Sequence, residues 1–183
     1  MSEDLLVRHC SPTMAGIKTG SMFPCEFITK DFLKENLRAV NKKLNKKGLR
    51  IIPLKIKNNK VLLYAYRPSL LNKDICDASA NALLKERGYC CESSGKCVMH
   101  LVNRMKETTE FPHEVGLFLG YPPEDVLGFI ENKAECSKCS GCWKVYGDED
   151  KAKRLFAKYK KCTKVYCKRH KFGSSIEKLT VAL

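Results

Sequence analysis

Residues 110–132 read EFPHEVGLFLGYPPEDVLGFIEN and form the most apolar stretch of a strongly basic chain. The pattern predicts two short helices joined by a tight corner at 120–123, because a glycine followed by Tyr-Pro-Pro interrupts a helix and lets proline open the next one. Since burying apolar surface stabilises a fold, we expect this stretch in the middle of the molecule. His113 and Glu114 stand at its entrance.

Length and charge limit the number of domains and the classes of partner that the chain can have. The 183 residues suit one domain, residues 1–183, with a substantial core. The apolar and charged fractions are ordinary, which excludes a disordered chain. Lys plus Arg number 34 against 20 Asp plus Glu, a net charge of +14. This excess favours nucleic acid, an acidic protein or an acidic small substrate, or else a solvated surface that is simply basic. The oligomeric state is left open.

The compartment is expected to be the cytoplasm. The first ten residues, MSEDLLVRHC, begin with acids and lack the apolar core of a signal peptide. No run approaches the length of a membrane span, so no membrane association is expected. Cytosolic thiols stay reduced, so the eleven cysteines are interpreted as thiols, metal ligands or redox groups. An odd number also cannot pair completely within one chain.

The remaining elements follow from periodicity, caps and turns. A short helical turn at 4–9 precedes a predicted loop at 9–20, and an edge strand is predicted at 17–23. Further helices are predicted from Thr29 to Gly48, from Pro68 to Gly88, at 97–105 and from Asp148 to Gly173. The strands 49–56 and 61–66 form a hairpin across Asn58-Asn59. The sequence therefore predicts an α+β fold, with a small, mostly antiparallel sheet around the Leu49–Tyr66 hairpin and five to seven flanking helices.

The central stretch also matches a DNA-binding helix pair. Gly116, Gly120 and Val126 occupy the positions of its small residue, corner glycine and apolar anchor. The second helix, however, begins with Glu124 and Asp125, whose carboxylates would repel phosphate. A packed helix corner without a DNA-reading role is favoured.

The leading functional hypothesis is a cytosolic thiol-dependent protein. Cys10 would be the reactive group, because a thiol near a base becomes a nucleophilic thiolate. His113 is the candidate base, Glu114 would orient it, and Lys18 would bind an anion. The reaction class stays open between acyl-type transfer and redox exchange, and Cys10 as a small buried hydrophobe is the structural alternative.

A metal site is a second hypothesis. Cys136, Cys139 and Cys142 are separated by two-residue gaps that let neighbouring thiolates reach one ion, and Cys162 or Cys167 would supply a fourth ligand. Such a set suits zinc or an iron–sulfur cluster. Free surface thiols are the alternative.

A third hypothesis is a non-enzymatic binding module. The predicted helix at 151–171 is basic, and Lys158, Lys160, Lys161 and Lys164 would dock nucleic acid or an acidic protein. The aromatic residues interleaved with these lysines could stack on bases, but the favoured interpretation is that they face the core.

Four blocks resemble the signature of a known family: residues 9–20 (HCSPTMAGIKTG), 61–71 (VLLYAYRPSLL), 111–130 (FPHEVGLFLGYPPEDVLGFI) and 141–148 (GCWKVYGD). They are similar to a bacterial family of uncharacterised proteins, a domain of unknown function typical of anaerobic Gram-positive bacteria. The resemblance covers nearly the whole chain. It implies a compact cytosolic protein of this length, and it carries over no activity, cofactor or catalytic residue.

Overall fold

A three-stranded antiparallel sheet lies at the centre of the computed structural model, which describes residues 2–108 and 110–183. Its strands are β1 (Gly20–Glu26), β2 (Arg50–Lys57) and β3 (Lys60–Tyr66), in the order β1-β3-β2. Asn58 and Asn59 turn the hairpin with φ of 47° and 58°, the left-handed conformation that a two-residue turn requires. The predicted hairpin is confirmed, and the predicted edge strand is present but begins and ends three residues later than expected.

Nine helices and one short ribbon accompany this sheet in the described residues, so the predicted α+β class is confirmed. The helices are α1 (Glu3–Met14), α2 (Lys30–Leu44), α3 (Pro68–Ile75), α4 (Ala78–Glu86), α5 (Ser94–Glu107), α6 (Val115–Phe118), α7 (Pro123–Glu131), α8 (Glu149–Lys171) and α9 (Ile176–Leu179). The ribbon joins β4 (Cys139–Ser140) to β5 (Lys144–Val145). The helix count exceeds the prediction partly because Asp77 caps α4 and divides the expected 68–88 helix in two, its carboxylate accepting from the Ser79 N–H at 3.0 Å.

Both faces of the sheet are covered by helices. Successive side chains of β3 point to opposite faces, so they enter two different cores. Leu63 and Ala65 enter a core shared with α1 and α2. Tyr64 and Tyr66 enter a second core shared with α3, α4, α5 and α6. The Tyr64 hydroxyl donates to the Phe118 carbonyl at 2.6 Å, which ties β3 directly to α6.

The predicted loop at 9–20 is wrong over its first half, since α1 continues to Met14 and contains Pro12. Proline, threonine and serine in this run are typical of loops. Here Ser11 and Thr13 are buried and satisfied: the Ser11 hydroxyl donates to the Val7 carbonyl, and the Thr13 Oγ1 lies 2.9 Å from the Ser21 Oγ. Tertiary packing therefore overrides the local preference.

The predicted corner and the predicted long helix are confirmed. Gly120 turns the chain between α6 and α7 with φ of +75°. Asp148 caps α8 by accepting from the Lys151 N–H at 2.9 Å, and Gly173, at φ of +86°, follows its end. Across the described ranges, no helix is both long and apolar enough to cross a membrane.

Candidate functional site

Cys10 does not occupy a reactive position. It lies on α1, is 0 % exposed and packs in the core against the sheet. Burial raises the pKa of its thiol far above the ordinary range, and the nearby Lys18 ammonium offsets only part of that rise. The group is therefore a neutral thiol out of contact with solvent, which is the opposite of an activated nucleophile.

The structure also separates the expected base from its partners. His113 is exposed, and its ring meets the Phe129 ring edge-on at 5.1 Å between centroids. Glu114 is 1 % exposed and is already engaged: it accepts from the Tyr89 hydroxyl at 2.9 Å, and the Arg104 Nε lies 2.8 Å from the same carboxylate oxygen. Glu114 is thus committed to this buried pairing, and the expected Cys10–His113–Glu114 arrangement is not assembled.

Lys18, the expected anion-binding residue, does line a groove that holds further cations. Its ammonium donates to the Gly20 carbonyl and stands 5.3 Å from the centre of the Tyr121 ring. Burial lowers the pKa of Lys18 to about 8, an effect that the Cys10 and Cys142 thiols oppose. Lys160 and Lys164 of α8 line the same groove. The Lys18 ammonium therefore loses its proton more easily than a lysine in water.

The four cysteines predicted to bind metal point into different surroundings. Each cysteine has a different neighbour. Cys136 lies near Tyr146, Cys139 near Glu149 at the start of α8, Cys142 near Lys18, and Cys162 near Lys158. Over residues 2–108 and 110–183, no three His, Cys, Asp or Glu side chains converge closely enough to hold one ion. The predicted ligand set is therefore not assembled in this arrangement of the loop.

Asp125 explains why the corner does not present a DNA-reading helix. Its carboxylate is buried and accepts three hydrogen bonds of 2.7 Å, from the Trp143 indole N–H and from the backbone N–H groups of Tyr146 and Gly147. These bonds fasten the segment containing β5 onto the first turn of α7. Asp125, in the helix end that would face a DNA groove, is therefore covered by the chain itself.

Between this segment and the helix corner lies a cavity of about 340 Å³. The α6–α7 corner forms one side and the β4–β5 ribbon forms the other. Four aromatic and four polar side chains line it. The lining aromatics are Phe111, Tyr121, Phe129 and Trp143, and the polar groups beyond Asp125 are His113, Ser140 and Lys144.

The cavity walls are fixed by close packing. Trp143 stacks on Tyr121 at 4.6 Å between ring centroids, and the edge contact between Trp143 and Phe156 is 4.5 Å. Gly116 and Gly128 allow the walls to approach: a Cβ on Gly116 would lie 2.7 Å from Val126, and one on Gly128 would lie 2.5 Å from the Tyr146 ring. Larger residues at these positions would force the walls apart.

Sequence reasoning identified His113 but missed the aromatic walls. The sequence indicates no site role for Trp143 and places Tyr121 only in a helix corner, because aromatic residues in a single sequence are most often core residues. The available signal was the joint occurrence of the 111–130 and 141–148 blocks, which the fold brings face to face.

The basic helix has the predicted division between charged and aromatic residues. All ten lysines and arginines of α8 are exposed. Tyr159 is buried, Phe156 packs on Trp143, and Tyr166 packs against the core beside α1. In the described part of the chain, one α8 cation forms an ion pair: the Lys153 Nζ lies 2.6 Å from the Glu149 Oε1. The predicted inward orientation of the aromatics is confirmed, and the cations face solvent.

Comparison with known protein families gives a match that covers almost the entire chain. A family model described as "Protein of unknown function (DUF3793)" matches residues 6–180. No curated protein matches the chain. No solved structure matches it either. Because the match extends over almost the whole chain, including the helix corner and the ribbon, the chain belongs to the DUF3793 family of proteins of unknown function.

Proposed function

We propose that this protein binds a small molecule containing an aromatic or heteroaromatic ring in the cavity between the α6–α7 corner and the β4–β5 ribbon. The observation that carries the proposal is the combination of four aromatic side chains with a few polar groups around about 340 Å³ of space. Concave, mostly apolar sites with a few convergent polar groups are the usual form of small-molecule sites.

The polar groups define the ligand further. The Asp125 carboxylate is occupied by its three donors, and the Lys144 ammonium is bound to the Ala134 carbonyl. Within the described residues, the His113 ring and the Ser140 hydroxyl make no hydrogen bond to protein groups, so both are available. A ring carrying one hydrogen-bonding substituent, such as a carboxylate or an amide, would fit this pattern.

The same residues argue against a second role for the cavity as a thiol site. Neither Cys10 nor Lys18 lines it, and no cysteine is among its lining residues. The proposal is therefore a binding function, in which the ligand is held by stacking and by one or two directional bonds. We take the compartment to be cytoplasmic, a choice that the eleven free cysteines support.

Trp143 is the single tryptophan of the chain, so its fluorescence reports on the cavity wall directly. Titration with benzoate or benzamide is expected to change this emission saturably, with a Kd of roughly 0.1–1 mM, since ligands of about nine heavy atoms gain about 0.5–0.6 kcal/mol per atom. Cyclohexanecarboxylate, which has no aromatic face, is expected to bind several-fold more weakly.

Ser140→Phe supplies the matched test, because it places a ring at the cavity lining, whereas Ser137→Phe places the same ring outside that lining, three residues earlier. We expect Ser140→Phe to abolish saturation and Ser137→Phe to retain it. A non-saturating response in the unaltered protein, or equal binding by both variants, would contradict the proposal.

A second candidate function is favoured by the exposed cations of α8. We propose that this face docks an acidic protein. Eight of its ten basic residues are lysines, which act as point charges rather than as the bidentate forks that arginine offers to phosphate. Its aromatic residues are buried or half-buried, which leaves little ring surface for stacking on bases. These features support diffuse electrostatic docking over nucleic-acid recognition.

Reversing Lys160, Lys161 and Lys164 to glutamate is expected to weaken binding of poly-L-glutamate by about tenfold or more at low salt, because three exposed cations would become repulsive. The matched control reverses Lys42, Lys43 and Lys46, which are exposed at the end of α2 and in the turn after it. Equal losses in both variants would mean that net charge alone acts. Tighter binding of duplex DNA than of poly-L-glutamate would replace the acidic protein with nucleic acid.

A further inference from the structure

We propose that Cys91 and Cys97 form a redox-active dithiol that closes to a disulfide by exchange with a low-molecular-weight disulfide. The observation behind this proposal is the position of the two sulfur atoms, which lie 3.6 Å apart. Cys97 is fully buried in the first turns of α5, and Cys91 is half-buried in the segment that leads into α5. No other function derived above uses these residues.

The geometry needs only a small adjustment. A disulfide has an S–S distance of about 2.05 Å, so the two sulfurs must approach by about 1.5 Å. Cys97 is held by its helix, where its N–H bonds to the Ser93 carbonyl at 3.0 Å. Cys91 lies outside regular structure between α4 and α5. The movement can therefore be made by the connecting segment, without displacing a helix.

The exchange proceeds in two balanced steps. The Cys91 thiolate attacks one sulfur of a disulfide RSSR, forming a Cys91–SR mixed disulfide and releasing RS⁻. The Cys97 thiol then loses its proton and attacks the Cys91 sulfur, which breaks the mixed disulfide and releases a second RS⁻. The protein loses two electrons and two protons, and RSSR is reduced to two RSH.

The environment of the two thiols assigns their order. Cys91 is partly accessible, so it can meet an external disulfide, whereas Cys97 can react only with a neighbour. Burial, together with the Cys91 thiol beside it, raises the pKa of Cys97 to about 12. The closing step should therefore be limited by deprotonation of Cys97 and should accelerate as the pH rises from about 7 to about 8.5.

Closure would also connect two parts of the fold. Tyr89, two residues before Cys91, reaches the buried Glu114 with its hydroxyl, and its ring lies 4.3 Å from the His100 ring. A Cys91–Cys97 bond would fix this connecting segment to α5 covalently. We expect the segment between α4 and α5 to be cleaved by proteases more slowly in the oxidised protein than in the reduced protein.

The test uses the full chain, reduced, freed of reductant without air and then incubated with 2-hydroxyethyl disulfide. The reaction is quenched with iodoacetamide and digested with trypsin, which cleaves after Arg87, Lys96 and Arg104 and so separates the two cysteines onto residues 88–96 and 97–104. The expected result is a disulfide-linked pair of these peptides, with Cys90 alkylated, formed several-fold faster at about pH 8.5 than at about pH 7.

Two variants decide the assignment. Cys90→Ser should form the linked peptides as the unaltered chain does, and Cys91→Ser should reduce their yield at least tenfold. Cys76→Ser, which removes an exposed thiol on another segment, is the control for nonspecific exchange. Absence of the linked pair in the unaltered chain, a Cys90–Cys91 bond in its place, or an undiminished yield in Cys91→Ser would overturn the proposal.

Discussion

Replacing Arg67 by methionine is expected to lower the free energy of unfolding by about 3–5 kcal/mol, the largest effect that we expect from a single substitution. The guanidinium is 0 % exposed and donates to four carbonyl oxygens, those of Thr13, Met14, Lys47 and Val181. Methionine fills a similar volume but leaves all four acceptors without this donor. Urea unfolding of the two proteins measures the difference.

The effect should be this large because the four carbonyls come from three separate segments. Thr13 and Met14 end α1, where the helix dipole places partial negative charge that favours a cation. Lys47 ends the turn after α2, and Val181 follows α9. Arg67 therefore connects parts of the chain that are far apart in sequence, and its loss should loosen all of them together.

Arg50→Met is the matched control, since Arg50 lies exposed on β2. Its substitution should change stability by no more than about 0.5 kcal/mol. A loss below about 1 kcal/mol in Arg67→Met would mean that the four hydrogen bonds do not fasten these segments.

Asp125→Ala should produce the second largest effect, a loss of about 3–4 kcal/mol, because a buried carboxylate accepting three hydrogen bonds is removed and two backbone N–H groups lose their acceptor. The indole of Trp143 loses its partner in the same change. We expect its fluorescence to shift to longer wavelength as the cavity wall opens to water. Glu124→Ala, one residue earlier and exposed, should alter neither stability nor emission appreciably.

These two readouts are independent. A destabilised protein whose Trp143 emission stays unshifted would show that Asp125 supports the fold without setting the position of the cavity wall. An unchanged stability would contradict the hydrogen-bond assignment itself. Either result would require a different account of how the ribbon is held against α7.

The elements that the sequence predicted correctly depend on local chemistry. Thr29 accepts from the Phe32 N–H at 3.2 Å as an N-cap, and Asn58-Asn59 tolerate the positive φ of the hairpin turn. In each case neighbouring residues alone determine the conformation, so one sequence is enough to see it.

The elements that were missed depend on contacts between distant residues. Arg67 ends a strand in the sequence, and nothing near it indicates that four carbonyls will surround its side chain. Asp125 stands in the first turn of a helix, where acids are ordinary. The proline in α1 favours a loop locally, yet burial of the surrounding side chains keeps the segment helical. Information of this kind is absent from periodicity and caps.

The candidate site likewise combines residues that the sequence can identify with contacts that it cannot. His113 was identified because its residue type is chemically suggestive, but its partners were chosen from a distant part of the sequence without spatial information. The structure places it beside Phe129 and the cavity instead of beside Cys10. The proximity of Cys91 and Cys97 was likewise invisible, because a spacing of six residues predicts no contact until the segment before α5 is known.

The central claim is that the space beside Trp143 is a binding site for a ring. Its most direct test is a crystal structure of the protein soaked with benzoate or benzamide. We expect the ring in the cavity lined by Trp143 and Phe129, with its polar substituent toward His113 or Ser140. A ring bound only at the outer surface, or a Trp143 side chain that fills the space itself, would contradict it.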